Sequence, residues 1–323
     1  MLDQAFVLFE GFNLFWLVAA VAGGIFGALI GANYAFGFTG VTVLVAFGIA
    51  AATGSDYGFS YIAFGPVFGP HVAFAGGTAA TAYAAYRGYT DSGKDINSSL
   101  AGLGKVDVWW VAGAFGALGY TMQVLIAKIP WFGSHTDSVA LTVFLSGVLA
   151  RILFGKTGVF TSSFGTLAEG RAWLRYQEKP SQVLTIGFAS SAVAAGVALF
   201  IANYSVLNPV SKETGAVFAA NAHVFTFAIS ALTIFLLVLG AKTPVTHHIT
   251  ISAGLGAVVF LPIVNGNWFA AFAIGIAFGL FAAFGAEVAQ RLTFKDGDTH
   301  IDPPAAIIWL ANTAVVSVAA LVS

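Results

Sequence analysis

Apolar residues in this chain come in long unbroken runs and do not alternate with polar ones. From Leu14 to Ala32 there is no charged or amide side chain at all. Runs of this length match the thickness of a bilayer core crossed by a helix. Punctuation by Gly, Pro, Asn and charged residues divides the chain into ten such segments. Five lie at about 14–35, 37–53, 58–86, 107–129 and 138–154, and five at about 186–204, 217–240, 245–263, 266–290 and 304–322. Residues 155–185 are too polar to span. Their aromatic positions Trp173 and Tyr176 among Arg171, Arg175 and Lys179 fit a helix lying on the membrane surface, or a plain linker.

The pattern on either side of that stretch recurs. Ser134-His135-Thr136-Asp137 opens one apolar run and Thr299-His300-Ile301-Asp302 opens another, in a chain with six histidines. Ala32-Asn33-Tyr34 has a counterpart in Ala202-Asn203-Tyr204, His71 in His248, and Trp110 loosely in Trp268. Matches among Ala, Gly and Phe are cheap in so apolar a chain, so the His and Asn-Tyr correspondences carry the weight. They predict an all-α polytopic membrane protein with two five-helix repeats, residues 1–154 and 186–323, joined by the linker 155–185. The largest insertion between the repeats is the loop around 88–106.

An odd number of crossings per repeat turns the second repeat upside down relative to the first, giving a pseudo-two-fold axis in the membrane plane. The basic residues fix the direction. With both termini outside, eleven of the thirteen Lys and Arg residues fall on the cytoplasmic side, and only Lys128 and Lys212 fall outside. If segments 58–86 and 245–263 failed to cross, the division would weaken to nine against four, so ten crossings are preferred. The expected location is the cell (inner) membrane. Under this plan the two His-x-Asp triplets face opposite vestibules and do not form one site.

The third segment of each repeat carries the strongest functional signal. Gly65-Pro66 and Gly69-Pro70 remove amide donors and clash with a continuing helix, so that span should be broken just before His71. Pro244, Thr246, His247 and His248 open the matching segment, where a second break of the same kind is expected. Amides freed at the start of a half-helix suit an anion or polar solute, and the histidines add donors and acceptors. The competing reading is a kinked helix whose His is bonded to a carbonyl. Asp137 and Asp302 stand where helix caps belong, with Pro303 and Pro304 suited to a first turn, leaving His135 and His300 as vestibule residues. Glu287 is a possible coupling group, although Arg291 four residues on makes an ion pair its default. Asn203, Asn221, His223 and Gln123 are polar positions inside spans that also serve as interhelical hydrogen-bonding groups.

Composition narrows the function. With 58% hydrophobic and 8% charged residues, the chain lacks the polar surface that a water-soluble globule of this size needs. A net charge of −1 argues against nucleic acid as a partner, and zero cysteines exclude thiolate chemistry. No metal-ligand spacing, Gly-rich phosphate loop or GxSxG turn is present, so neither enzyme, metal nor cofactor is expected. The reading that follows is a permease or channel-like facilitator for a small polar or ionic solute, with lipid as its surroundings and a homo-oligomer as an option. The alternatives are a membrane-embedded subunit of a larger complex and, with less support, an intramembrane metal enzyme. The absence of native cysteine permits a direct check on topology. Single cysteines at Ser134 and Thr299 should react with an impermeant maleimide from opposite sides; labelling of both from one side rules out the inverted arrangement.

Overall fold

The apolar runs become helices, and several of their boundaries fall where a side chain (Asn13, Asp137, Ser211, Asn267, Asp302) or a glycine (Gly31, Gly54) satisfies or ends the backbone ladder. A computed structural model describes residues 7–9, 12–161, 174–207 and 210–323. A short antiparallel pair, β1 (Val7–Phe9) and β2 (Phe12–Asn13), precedes the first helix. The first half then holds α1 (Leu14–Ile30), α2 (Ala32–Thr53), α3 (Ala73–Tyr86), α4 (Val106–Ala127) and α5 (Ser138–Phe154). The second holds α6 (Pro180–Leu207), α7 (Lys212–Val238), α8 (His247–Ile263), α9 (Trp268–Ala289) and α10 (Pro303–Val322). Six of these, α2, α4, α6, α7, α9 and α10, are long and apolar enough to cross a membrane. Large apolar side chains cover the outside, Phe269 at 87% exposed and Trp110 at 61% among them, a surface suited to lipid and not to water.

Two boundaries differ from those expected. The first two helices meet at Gly31, whose φ of 99° admits a sharp redirection that a side chain would strain. Asn33 therefore begins α2 and does not end α1, which undoes its pairing with Asn203 near the end of α6. The third segment of the first half is broken as its Gly-Pro pairs demand: a π-helical turn over Gly58–Ala63, irregular backbone to Val72, then α3. In the second half there is no internal break. Residues 241–246 form no regular secondary structure and α8 starts at His247. The freed backbone finds side-chain partners in both places. Thr39 Oγ1 donates to Phe68 O (2.7 Å). The Gln177 amide donates to Val245 O (2.7 Å) and accepts from Val245 N–H (2.9 Å). Of the 155–185 stretch, residues 162–173 with Arg171 and Trp173 lie outside the described residues.

The helices of the two halves pair in the same way. In the first half α1 packs on α3 and α4, α3 on α4 and α5, and α2 on α3. In the second α6 packs on α8 and α9, α8 on α9 and α10, and α7 on α8. Across the middle, α2 meets α7 and α5 meets α10, so each half presents its second and fifth helices to the other. Both cross-pairs are antiparallel. Thr136 and Asp137 lie beside Thr313 and Asn312, while Arg151 lies beside Thr299. Phe36 of α2 packs near Phe227 of α7, and Phe47 near Phe218.

Small residues bring the backbones close enough for this. A Cβ at Gly27 would run into the carbonyl of Ala73, and one at Gly116 into that of Ala20. A Cβ at Gly275 would lie 2.7 Å from the carbonyl of Ala253. Gly48 on the outer face of α2 has nothing within 4 Å of such a Cβ. Gly27→Ala should therefore lower the melting temperature of the detergent-solubilised protein by several degrees, since overpacking costs about 1–3 kcal/mol. Gly48→Ala should leave it unchanged or raise it slightly, because the methyl meets nothing and Ala favours the helix.

Candidate functional site

The site begins with two helix caps. Asp137 Oδ1 accepts from Ala140 N–H (2.9 Å) at the start of α5, and Asp302 Oδ2 accepts from Ala305 N–H (2.7 Å) at the start of α10. Pro303 and Pro304 occupy the first helical positions of α10, where no amide is missed. The capping role expected of both aspartates is present. Their location is not the one expected, because both helices begin well inside the molecule. Asp137 stands level with Asn312, halfway along α10, and Ile301 stands beside Gly147 of α5. At 1.5 Å per residue the two caps are separated by about 15 Å along the shared axis. The start of α8 also lies inside the end of its neighbour: Thr250 Oγ1 donates to Ser230 Oγ of α7 (3.1 Å), about two turns before that helix ends. The start of α3 lies beside Gly23, midway along α1.

These four N-terminal ends surround one cavity of about 310 Å³ between the halves. Asp137 and Asp302 both line it, which corrects the expectation of two separate vestibules. Its polar walls also include Asn33, Asn221, His223, His247 and His300, and the rest is aromatic and aliphatic, with Phe36, Phe64, Phe74 and Phe227 prominent. Asp137 Oδ2 accepts from Asn312 Nδ2 (2.9 Å), whose carbonyl oxygen accepts from Ser252 Oγ (2.9 Å). On the other side Asp302 Oδ1 faces His300 Nε2 at 3.1 Å, and that imidazole packs against Phe294 and Phe74. The His247 ring lies tilted against that of Phe36, with ring centroids 4.5 Å apart. It is 6% exposed, and its Nδ1 has no hydrogen-bond partner among the described residues.

The remaining candidates fall elsewhere. His71 and His248 are buried but are not part of the cavity wall. The backbone of His71 is pressed against Gly119 of α4 and its ring against Gly69, so the position is filled by packing. Of the broken segment Pro70 reaches the cavity, whereas Gly65, Pro66 and Gly69 shape the turn behind it; Val245 lines the wall where Pro244 and Thr246 do not. His135 stacks on Trp131 and bonds its carbonyl (2.7 Å) in the α4–α5 loop, outside the cavity. Glu287 is committed to Arg291 (2.5 Å) and Gln290 (2.9 Å), the local pairing that its spacing favoured.

One residue gave little warning in the sequence. Arg151, counted there among cytoplasmic charges, is fully buried near the end of α5. It donates to Thr299 Oγ1 (2.5 Å), to the carbonyls of Thr299 (2.7 Å) and Thr293 (3.1 Å), and to Gly158 O (3.0 Å). It thereby fixes the loop that carries His300 and Asp302. The only available signal was a lone arginine inside the apolar run VLARILF. Asp298 stands 3.7 Å from it and accepts from Lys156 N–H (2.6 Å) and the Thr157 hydroxyl (2.7 Å). Partial burial pushes the Asp298 carboxyl up, but these hydrogen bonds outweigh it and hold the group below its ordinary range.

A model of a family of unknown function, DUF7973, matches the chain twice, over residues 6–169 and again over 161–323. No curated protein and no solved structure is significantly similar to it.

A depressed carboxyl stabilises the fold above the unfolded value and loses that contribution as pH falls through the folded one. Asp298→Asn should lower the melting temperature modestly at pH 7, and the gap from the unaltered protein should close below about pH 4. A gap that stays constant down to pH 3 or so would remove the role given to this carboxylate.

Proposed function

We propose that this chain, which belongs to the DUF7973 family, is a transporter or channel-like facilitator that moves a small polar solute through the cavity between its two halves. The observation that carries the reading is the cavity itself. Four helices start at its walls, two with carboxylates, inside a molecule otherwise built of apolar surfaces. Interior helix ends around a cavity are how α-helical membrane proteins hold polar cargo without exposing broken backbone to lipid.

The transporter would cross the bilayer ten times as two five-helix repeats in inverted topology, with both termini outside the cell membrane. Three observations support this. The same family model matches each half. The halves meet through their second and fifth helices, antiparallel, as a two-fold axis between equivalent elements requires. Contacts gather the described basic residues other than Lys128 and Lys212 toward one end of the bundle. Arg87 pairs with Asp107, Gly93 bridges to Thr299, Thr161 N–H reaches Leu292 O, and Gln177 holds Val245.

The cavity volume limits the cargo. At about 30 Å³ per water it holds on the order of ten waters, so the solute is a small one. Purified protein in liposomes, challenged osmotically with a panel of small neutral and ionic solutes, should accelerate swelling for one chemical class. Ala305→Trp, which fills the cavity from the first turn of α10, should abolish that flux while the protein remains monodisperse. Liposomes that admit no solute would favour a non-transporting membrane subunit.

A further inference from the structure

The central cavity has a neighbour. A second cavity, of about 270 Å³, shares Asp137 and His223 with it; its other walls are the first residues of α5, Leu255 of α8, and Asn312 and Val316 of α10. Val316 lies one turn beyond Asn312, on the side of Asp137 facing away from Asp302 and toward the α4–α5 loop. We propose that Asp137 and His223 form the constriction of a one-sided solute path, which leads from the α4–α5 loop end through the second cavity into the central one and favours cationic and neutral solutes over anions. This rests on the reading of the central cavity as a solute path.

The two ends of the molecule show why the path opens at one of them. Val316 is the fourteenth residue after the Asp302 cap, and Arg151 is the fourteenth after the Asp137 cap. At the first position a valine leaves a cavity. At the second a fully buried arginine fills the space and ties down residues 293–299 through three hydrogen bonds, with a fourth to Gly158 O. The tenth residue after each cap repeats the contrast. Asn312 reaches across to Asp137, whereas Gly147 packs against the backbone at His300 and Ile301. The Asp137 carboxylate is held from two directions, by the Ala140 amide and by Asn312, so its position at the passage is fixed.

Charge selection follows from the walls. Among the described residues they contain two aspartates and no lysine or arginine in either cavity. The four helix starts around the central cavity offset much of the charge of its two aspartates, but at the constriction only α5 begins, and its amides offset about half a charge at Asp137. Water-filled passages of one sign concentrate the opposite ion and turn away the same one. Beyond the constriction, the buried His247 Nδ1 at the central wall lacks a hydrogen-bond partner among the described residues, which points to a polar guest in that chamber.

Native cysteines are absent, so single engineered ones report access directly. Ala305→Cys lies in the central cavity, and Ser134→Cys in the α4–α5 loop serves as a surface control. Cationic, anionic and neutral methanethiosulfonates of similar size would be added to oriented vesicles from the loop side. Ala305→Cys should react with the cationic reagent roughly tenfold faster than with the anionic one. Asp137→Asn, which still caps α5 because Asn serves as well as Asp at that position, should bring the ratio close to one without slowing the neutral reagent. Val316→Arg, which installs the plug of the opposite end, should stop labelling by all three. Labelling of Ala305→Cys with no charge preference, or at an unaltered rate in Val316→Arg, overturns the constriction while leaving the solute path intact. If no reagent reaches Ala305→Cys from either side while Ser134→Cys reacts, the solute path itself is wrong.

Discussion

A helix that begins inside an apolar molecule leaves amide hydrogens where water is scarce, and each such group left unpaired costs several kcal/mol in a lipid-like interior. This protein begins four helices that way. Two are capped by Asp137 and Asp302, which accept from the N–H of the third residue of α5 and α10. The backbone leading to the other two is held by side chains from elsewhere, Thr39 on the carbonyl of Phe68 and Gln177 on both polar groups of Val245. Polar groups gathered this way set the position of the cavity. The tight glycine contacts of α1 with α3, and of α9 with α8, hold the interrupted helices in place around it.

The halves share a plan and differ at the positions that matter. Each presents its second and fifth helices to the other, and each fifth helix starts at an aspartate. Around Asp137 the neighbours are an amide and a hydroxyl, in the order Asp137–Asn312–Ser252. Around Asp302 the neighbour is an imidazole held between aromatic rings, with a buried arginine fixing the loop behind it. Two ends that were identical would open or close together. Different side chains at corresponding positions allow one end to be sealed while the other is accessible, which a carrier needs at every stage and a simple pore does not.

Much of this was legible in the sequence, for reasons that stop at a definite point. The membrane character, the Gly-Pro break before α3 and the caps at Asp137 and Asp302 are local properties, written in composition, missing amides and the Asp-then-apolar order. Convergence of the two caps on one cavity depends on the antiparallel register of α5 against α10, which brings together residues about 175 apart. No short-range pattern encodes that. His71 and His248 follow the breaks, yet both are buried away from the cavity, His71 against the backbone of α4; His247, next to His248, faces the cavity instead. The Gly31 junction concealed the start of α2, because one glycine at positive φ makes no visible gap in a run of apolar residues. Arg151 was read by its charge, and only the fold reveals that its partners are the carbonyls of a loop from the other half.

The persistence of so large an opening is itself an energetic argument. Apolar cavities destabilise proteins by about 24 cal/mol per Å³, so 310 Å³ left dry would cost on the order of 7 kcal/mol, comparable with the whole net stability of a typical domain. Substituting larger residues at Ala140 or Ala305, both on the wall, is the simplest way to remove such a cost. The walls here instead hold aspartate, asparagine and histidine, which give water or a solute partners to bond. A chamber built that way is stable when wet, and its contents exchange through whichever end is open. The same groups that cap the helices thus keep the chamber from being an unrelieved defect, and the fold's chief structural constraint and its proposed function come to rest on the same few side chains.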